Sequence, residues 1–577
     1  MPPPPLPPLH TRLYKHALES IFAHLTLSDL AHALATCRDW SAAASSMRPI
    51  GASVHAGNNL RAIRNSRLLL RHVAALHTIG LPKFKPIGWP ELGHLCGIIK
   101  ESKSLTAVNL CNMSIDAERV SAITEAIMQS TSLACLELAW NYIGDDGATT
   151  LAKAISKSPS LTSVDLTYNS IGVVGGAAIA EAIAQSKSLT SVNLRHTLIG
   201  ASSSSAIAEA IKQSKSLVML ELSGNDLGDV GALAIVDAIA QSQSLSTVNL
   251  SDNGLRDVVA VAVAESVRQS RSLTAVDLGG NYIGDVGAFA IAHAIKQSTS
   301  MVTLRLSGTQ VGPSGIVALA EAVAQSNSFV ALDLSCNPIN SDGAAAIAKA
   351  IKQSKSLRTV DLRATRLGDD GATTIAEAIK QSTSIVTANL DNNQIGTLGA
   401  VTVAKAIKQS KSLATVGLSY NKIGSDGAGT IADAIKESTS LTVMNLSNNQ
   451  IGAFGAIAIA EAIKKSKLLA SVDLNGNLLG DQGASAIAEA IKQSSSLTRV
   501  DLSGNKIGAF GAAVIAEAIA QSKSSLAVVN LSWNNIGAEG ASAITEAIKQ
   551  SKSRVDVNVS YNQIGALGYS TASLGKK

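Results

Sequence analysis

The chain has 577 residues, well past the size at which one hydrophobic core keeps growing, so it must divide into several domains or build an array of repeats. Hydrophobic residues make up 46% of it and aromatics only 3%, an apolar volume of Ala, Ile, Leu and Val that suits many small recurring contacts. Charged residues at 16% exclude a disordered polyelectrolyte, no stretch reaches the ~18 uncharged apolar residues of a membrane span, and the net charge of +5 is unevenly placed.

Residues 1–104 hold 12 Lys and Arg against 5 Asp and Glu, which leaves 36 against 38 for residues 105–577. The long part is therefore slightly acidic, a poor start for binding nucleic acid. Five cysteines (Cys37, Cys96, Cys111, Cys135, Cys336) are odd in number, scattered and without C-x-x-C spacing. They exclude a disulfide framework and point to a reducing compartment, the cytoplasm, with the nucleus left open.

The opening MPPPPLPPLHTRL has no apolar h-region and is not expected to be a secretory signal. Its prolines, residues 1–8, read as a flexible tail that favours polyproline II and could meet a profilin- or SH3-like partner. Residues 9–48 are expected to form a small all-α module. Leu18, Ile21, Phe22 and Leu25 fall at i, i+3, i+4 and i+7, one stripe of a helix. Ser28 can cap a second helix carrying Leu30 and Leu34, and Trp40 closes a third short segment. The string I-F-x-x-L-x-x-x-D-L-x-x-x-x-x-T-C-R-x-W, with Ile21, Phe22, Leu25, Asp29, Leu30, Cys37, Arg38 and Trp40, resembles the F-box. It departs from that pattern at Tyr14, which follows Leu13 in place of proline, and at His16. The resemblance implies docking on the Skp-type adaptor of SCF ubiquitin ligases through those residues and Leu18. The same helices also fit a plain cap on the open end of the array, and the residues leave both readings open.

Residues 49–75 read as a linker or helical cap. Arg61, Arg64, Arg67 and Arg71 sit at helical spacing beside Leu60, Ile63, Leu68 and Leu70, as a solvated basic face or a surface for an acidic partner.

From residue 76 the chain repeats itself. A divergent repeat, 76–104, carries Leu76, Ile79 and Leu81, and seventeen more fill 105–577. Their anchors step by 28 residues from Leu105 through Met301, Phe329 and Ile385 to Leu497, then by 29 to Leu526 and by 28 to Arg554. With the anchor counted as zero, the common repeat reads L-x-x-V-[ND]-L-S-x-N-x-I-G-x-x-G-A-x-x-I-A-E-A-I-K-Q-S-x-S. Leu441, Met444 and Leu446 alternate with Val443, Asn445 and Ser447, the period of a short strand; Ala456, Ile459, Ala460 and Ile463 share one helical face. Gly452 and Gly455 mark the turn between them. A strand and a helix repeated in register force parallel strands with every helix on one side, an α/β solenoid in which neighbours close one another's cores.

The L-x-x-L-x-L-x-x-N string and its period resemble the leucine-rich repeat of the ribonuclease-inhibitor type, which implies a horseshoe with strands inside and helices outside. Thirteen of the seventeen repeats keep Asn at +8, from Asn141 to Asn562. The resemblance implies that these amides bond the turn after the strand and stack as a ladder, which Met113 cannot join and Thr197, Thr309 and Thr365 can join only in part. The last repeat, with Arg554, Val559 and a truncated helix, is expected to be a cap.

Residues at +2, +4 and +6 are expected on the inner, concave sheet face. The +4 column carries Glu137, Asp165, Glu221, Asp277, Asp333, Asp361, Asp473 and Asp501 among seven Asn, with Arg305 and Gly417. Adding Asp391 and Asp556, and setting them against Arg195, Arg305, Arg363 and Arg499, leaves this face at −6. It reads either as an acidic trough for a Lys/Arg-rich protein or as a solvated polar ladder. The repeats that lose Asn to Thr also carry Arg (Arg195 with His196, Arg305, and Arg363 with Arg358 and Arg366), which marks them as candidate contact points. Trp140, Tyr168, Tyr420, Trp533 and Tyr561 at +7 are either interface anchors or turn fillers.

No catalytic, metal or cofactor site is expected. The repeated I-G-x-x-G is turn chemistry, no G-x-x-x-x-G-K-[ST] occurs, and only His196 and His293 fall in the regular array. The sequence thus reads as a recognition protein, the substrate-binding subunit of an SCF-type ligase holding a protein substrate on its concave face. The alternatives are a free-standing ribonuclease-inhibitor-like binding protein and a regulator resembling the leucine-rich Ran-type GTPase-activating protein.

Overall fold

A computed structural model describes the backbone of residues 52–55 and 76–80, and residues 87–524, 526–551 and 555–564 in full. The F-box-like module with Leu18, Ile21, Phe22, Leu25, Asp29, Leu30, Cys37, Arg38 and Trp40 lies outside the described residues, as do the proline tail, the arginines of 61–71, Arg554 and the final truncated helix.

The chain divides into two compact parts, one through Asn281 and one from Tyr282. In the first, nine strands from Ala52–His55 to Ala275–Asp277 pair in chain order and in parallel. In the second, ten strands from Thr303–Arg305 to Asp556–Asn558 do the same. A helix follows nearly every strand, so each part is an α/β solenoid, as the period predicts. Within residues 49–75, expected to be a linker or helical cap, Ala52–His55 form a strand. It pairs with Leu76–Gly80, whose outer edge would otherwise leave a row of backbone groups without partners.

Each regular strand is three residues long, from +2 to +4, and its middle residue points under the helices. The repeat that starts at Leu133 shows how the core forms. Leu133, Leu136, Leu138 and Ile143 from the strand side meet Ala148, Leu151, Ala154 and Ile155 from the helix Gly144–Lys157, all at 1% exposure or less. Substituted anchors keep the same place: Met301, Phe329 and Ile385 are buried. Among the described residues Phe329 is the one fully buried ring in a core of aliphatics.

Small residues set how closely helix and turn approach. Gly452 opens its helix with φ at +64°, and a Cβ on Gly455 would lie 2.4 Å from Ile451 Cγ2. Two further devices tie each repeat to the next. After the helix the serines of S-x-S form the turn: Ser158 Oγ accepts the amide of Leu161, the anchor of the next repeat, at 3.1 Å, and Ser160 Oγ donates to the carbonyl of Leu133, the anchor of its own repeat, at 2.9 Å. At the opposite helix end, Asp481 Oδ1 accepts the amides of Gly508 and Gly511 from the following repeat at 2.7 and 3.1 Å. Asp145 and Asp369 do the same, placing a carboxylate where helix dipoles favour one.

Candidate interaction face

The +4 residues stand half-exposed on the sheet face turned away from the helices, in register from strand to strand: Asp333 opposite Asp361, and Asp473 opposite Asp501. Their side-chain oxygens have a local task. Oδ1 of Asp165 accepts the backbone amide two residues on, Thr167, at 2.9 Å. Asp277, Asp333, Asp473 and Asp501 each bind the corresponding amide at 2.9 Å, and Asp361 does so at 3.1 Å. Asparagine does it equally well: Asn193 takes Arg195 at 3.1 Å and Asn249 takes Ser251 at 2.9 Å. The turn therefore requires an oxygen at this reach, not a charge. Where Asp stands in place of Asn, the turn bond itself makes no use of its negative charge. Glu137 is longer and is held instead by Asn109 Nδ2 of the neighbouring repeat.

At Asp473 the charge works against stability. Burial is the first cause of the raised Asp473 pKa, with neighbouring Asp501 adding to it. Asp361 and Asp391 are also pushed up, again mainly by burial. A carboxyl whose folded pKa is raised favours the native state in its protonated form, so its ionisation destabilises the fold as pH rises through the native value. Asp473→Asn keeps the oxygen and removes the charge. It is expected to melt higher than wild type at neutral pH, with the difference vanishing below the carboxylate range; thermal melts across pH check this.

A positive charge at +6 stands beside the column. Arg363 Nε donates to both oxygens of Asp361 at 3.0 and 2.9 Å, and that bond raises the Arg363 pKa. Asp333 and Asp391 also lie near enough to act on Arg363. Asp391 reaches its place because Gly417 stands beside it: a Cβ there would lie 2.8 Å from Asp391 Oδ1. The structure thus gathers Asp333, Asp361, Arg363 and Asp391 on one patch of the second part. Arg305 is exposed on the same part, and Arg195 is exposed on the first.

At +7 the structure adds a property that the ring count did not show. Trp140, Tyr168, His196, Tyr420, Trp533 and Tyr561 all have φ between +49° and +60°. A left-handed backbone costs a side-chain-bearing residue ~1–2 kcal/mol, and other repeats meet it with glycine, as at Gly224 and Gly280. Trp140 stacks on Tyr168 with centroids 4.0 Å apart, and Tyr168 on His196 at 4.6 Å, so three rings form one pile. Trp533 and Tyr561 form a second at 4.2 Å. Trp140 is 58% exposed, and Tyr420, Trp533 and Tyr561 more so, which does not suit fillers of the turn. His196 joins the aromatic pile rather than acting with Arg195 alone, a grouping its place beside the Thr197 substitution had hidden.

Beneath this face runs the buried amide column. Asn141 Nδ2 donates to the carbonyls of Leu138 at 2.8 Å and of Leu110, one repeat earlier, at 2.9 Å; its Oδ1 accepts Met113 and Ile115 amides at 2.9 Å. Thr197 donates to Leu194 at 2.7 Å and to Asn225 Oδ1 at 3.0 Å, with no bond back to the preceding repeat. Thr365 behaves in the same way.

A family model described as "Leucine Rich repeat" matches eleven stretches: 129–152, 157–180, 213–236, 269–292, 297–320, 325–348, 353–376, 437–460, 465–488, 493–516 and 522–544. Residues 129–544 are an array of leucine-rich repeats. Within that span the repeats that start at Leu189, Leu245, Ile385 and Leu413 lie outside the matched stretches, and in the first of them a 3-10 turn at Ala201–Ser203 shortens the helix to Ser204–Gln213. Among solved structures, leiomodin-1 actin-binding site 2 is similar at 17% identity with a TM-score of 0.23, over 25% of this chain and 84% of that one. No curated protein matches the chain. Among the described residues no group of three or more His, Cys, Asp and Glu side chains could hold a metal ion, and no helix is long and apolar enough to cross a membrane.

Proposed function

We propose that the leucine-rich repeats serve as a non-catalytic recognition surface for a basic protein partner, held on the open sheet face. The observation that carries this reading is the charge at +4 that the turn bond does not use: asparagine makes the same turn bond, yet Asp333, Asp361, Asp473 and Asp501 keep carboxylates in adjoining strands. Like charges in register repel, so the arrangement suits a ligand that supplies the opposite charge. Rings at +7, at the end of the same strands, are suited to anchor such a partner, with exposed Trp140 beside half-buried Tyr168 and His196 on one part and exposed Tyr420, Trp533 and Tyr561 on the other.

The finer reading is an SCF-type substrate receptor, with Ile21, Phe22, Leu25, Asp29, Leu30, Cys37, Arg38 and Trp40 docking the Skp-type adaptor. It rests on the resemblance of that string to the F-box. Purified full-length protein is expected to retain the adaptor in a pull-down, with retention lost in Phe22→Ala and Trp40→Ala. Absence of retention by wild type would leave a free-standing binding protein.

A further inference from the structure

The helices carry a second charged surface, far from the open sheet face. In the common repeat the residue at +20 is acidic and pairs along the helix with lysine at +23, as in Glu377–Lys380 at 3.3 Å, Asp433–Lys436 at 2.8 Å and Glu546–Lys549 at 3.4 Å. Four repeats break this rule: one has Lys153 with Ser156 at +23, one has His293, and the other two place lysine at both +20 and +23. The helix Ser341–Gln353 has Lys349 at +20, and the helix Thr397–Gln409 has Lys405. Each then faces a like charge one turn on, at Lys352 and Lys408, with Lys355 and Lys411 just past the helix end.

All six lysines are exposed. Lys408 pairs with Glu437 at 2.8 Å; none of the other five makes an ion pair among the described residues. The helix dipole explains a lysine in the last turn, at +23, but not one a turn earlier. Like charges at this spacing cost a helix a few tenths of a kcal/mol, so the fold gains nothing from Lys349 or Lys405. The helix between them, Gly368–Gln381, contributes the mutually neutral Glu377 and Lys380. With neighbouring helices ~8–10 Å apart, the two lysine triplets stand roughly 20 Å from each other on one rim.

We propose that this rim of the second part docks an acidic polypeptide segment. Two triplets at that separation match about six extended residues at ~3.3 Å each. Lysines supply separate point charges that suit scattered carboxylates. Neither helix nor the loop after it contains an aromatic residue on which a nucleobase could stack, and the rim residues Lys, Gln and Ser offer nothing apolar to enter a bilayer. This surface is independent of the reading given to the sheet face.

The test uses the full chain and a labelled oligoglutamate peptide, with binding followed by fluorescence anisotropy. The double variant K349E/K405E restores the acid that other repeats carry and creates two helix ion pairs, so its melting temperature should equal or exceed that of wild type. Wild type is expected to bind the peptide at low ionic strength and release it as salt is added. K349E/K405E should bind at least about tenfold more weakly, while K296E/K492E, with the same change in net charge elsewhere, stays within about twofold. The proposal is overturned if wild type fails to bind, or if both double variants lose affinity equally. It is also overturned if a DNA duplex or phosphatidylserine vesicles bind in a Lys349- and Lys405-dependent way while the peptide does not.

Discussion

Replacing Asn477 by alanine is expected to destabilise its region of the array by roughly 3–5 kcal/mol, because several buried groups lose their partners at once. Asn477 is fully buried. Its Nδ2 donates to the carbonyls of Leu446 at 2.8 Å, Leu474 at 3.1 Å and Asn475 at 3.1 Å, and its Oδ1 accepts the amides of Asn449 at 2.8 Å and Ile451 at 3.3 Å. Alanine can answer none of these. Threonine should fall between the two, since Thr365 shows that a hydroxyl at this position keeps the bond to its own repeat and forgoes the one to the repeat before. Hydrogen exchange locates the damage. In the alanine variant the amides of Asn449 and Ile451 should lose protection first, with repeats several steps away little changed, because an array is stabilised mainly between nearest neighbours. Unaltered protection at those two amides would show that the side-chain ladder does not hold adjacent repeats together.

The regular architecture was legible because two periods alternate within each repeat. Leu441, Met444 and Leu446 could only serve a strand buried on one face, and Ala456, Ile459, Ala460 and Ile463 only a helix resting on it; all seven are buried as read. The +8 amides were legible through resemblance, and their bonds follow the expected pattern. Other features needed coordinates. Asp481 caps backbone amides 27 and 30 residues further on, a link with no local trace in the chain. The strand Ala52–His55 is too short for its alternation to stand out from its surroundings. The turn bond at +4 had a local signal that was not used: Asp or Asn followed two residues later by Ser, Thr or Gly is the spacing of an Asx turn. The left-handed backbone at +7 was also written in the sequence, in the glycines and asparagines of that column, such as Gly224, Gly280 and Asn392.

The candidate site divides along the same line. Residue types and spacing place the acids together at +4 of successive repeats. Which of them the fold itself needs could not be read from composition, because Asp and Asn are interchangeable for the turn and differ only in charge. That equivalence permits a substitution that separates recognition from folding. Asp333, Asp391 and Asp473 each give Oδ1 to a backbone amide, of Ser335 at 2.9 Å, Ser419 at 2.6 Å and Asn475 at 2.9 Å. Asparagine can keep all three bonds. Asp361 is best left in place because it holds Arg363.

The direct measurement is therefore the affinity of the triple variant D333N/D391N/D473N for a labelled oligolysine peptide, titrated at several salt concentrations beside wild type. If the open sheet face recognises a basic partner, wild type binds with an affinity that falls steeply with salt. The variant then binds at least about tenfold more weakly, a difference of ~1.4 kcal/mol, while melting no lower than wild type. Equal affinity in the two proteins would contradict the account and leave the carboxylates as turn residues alone.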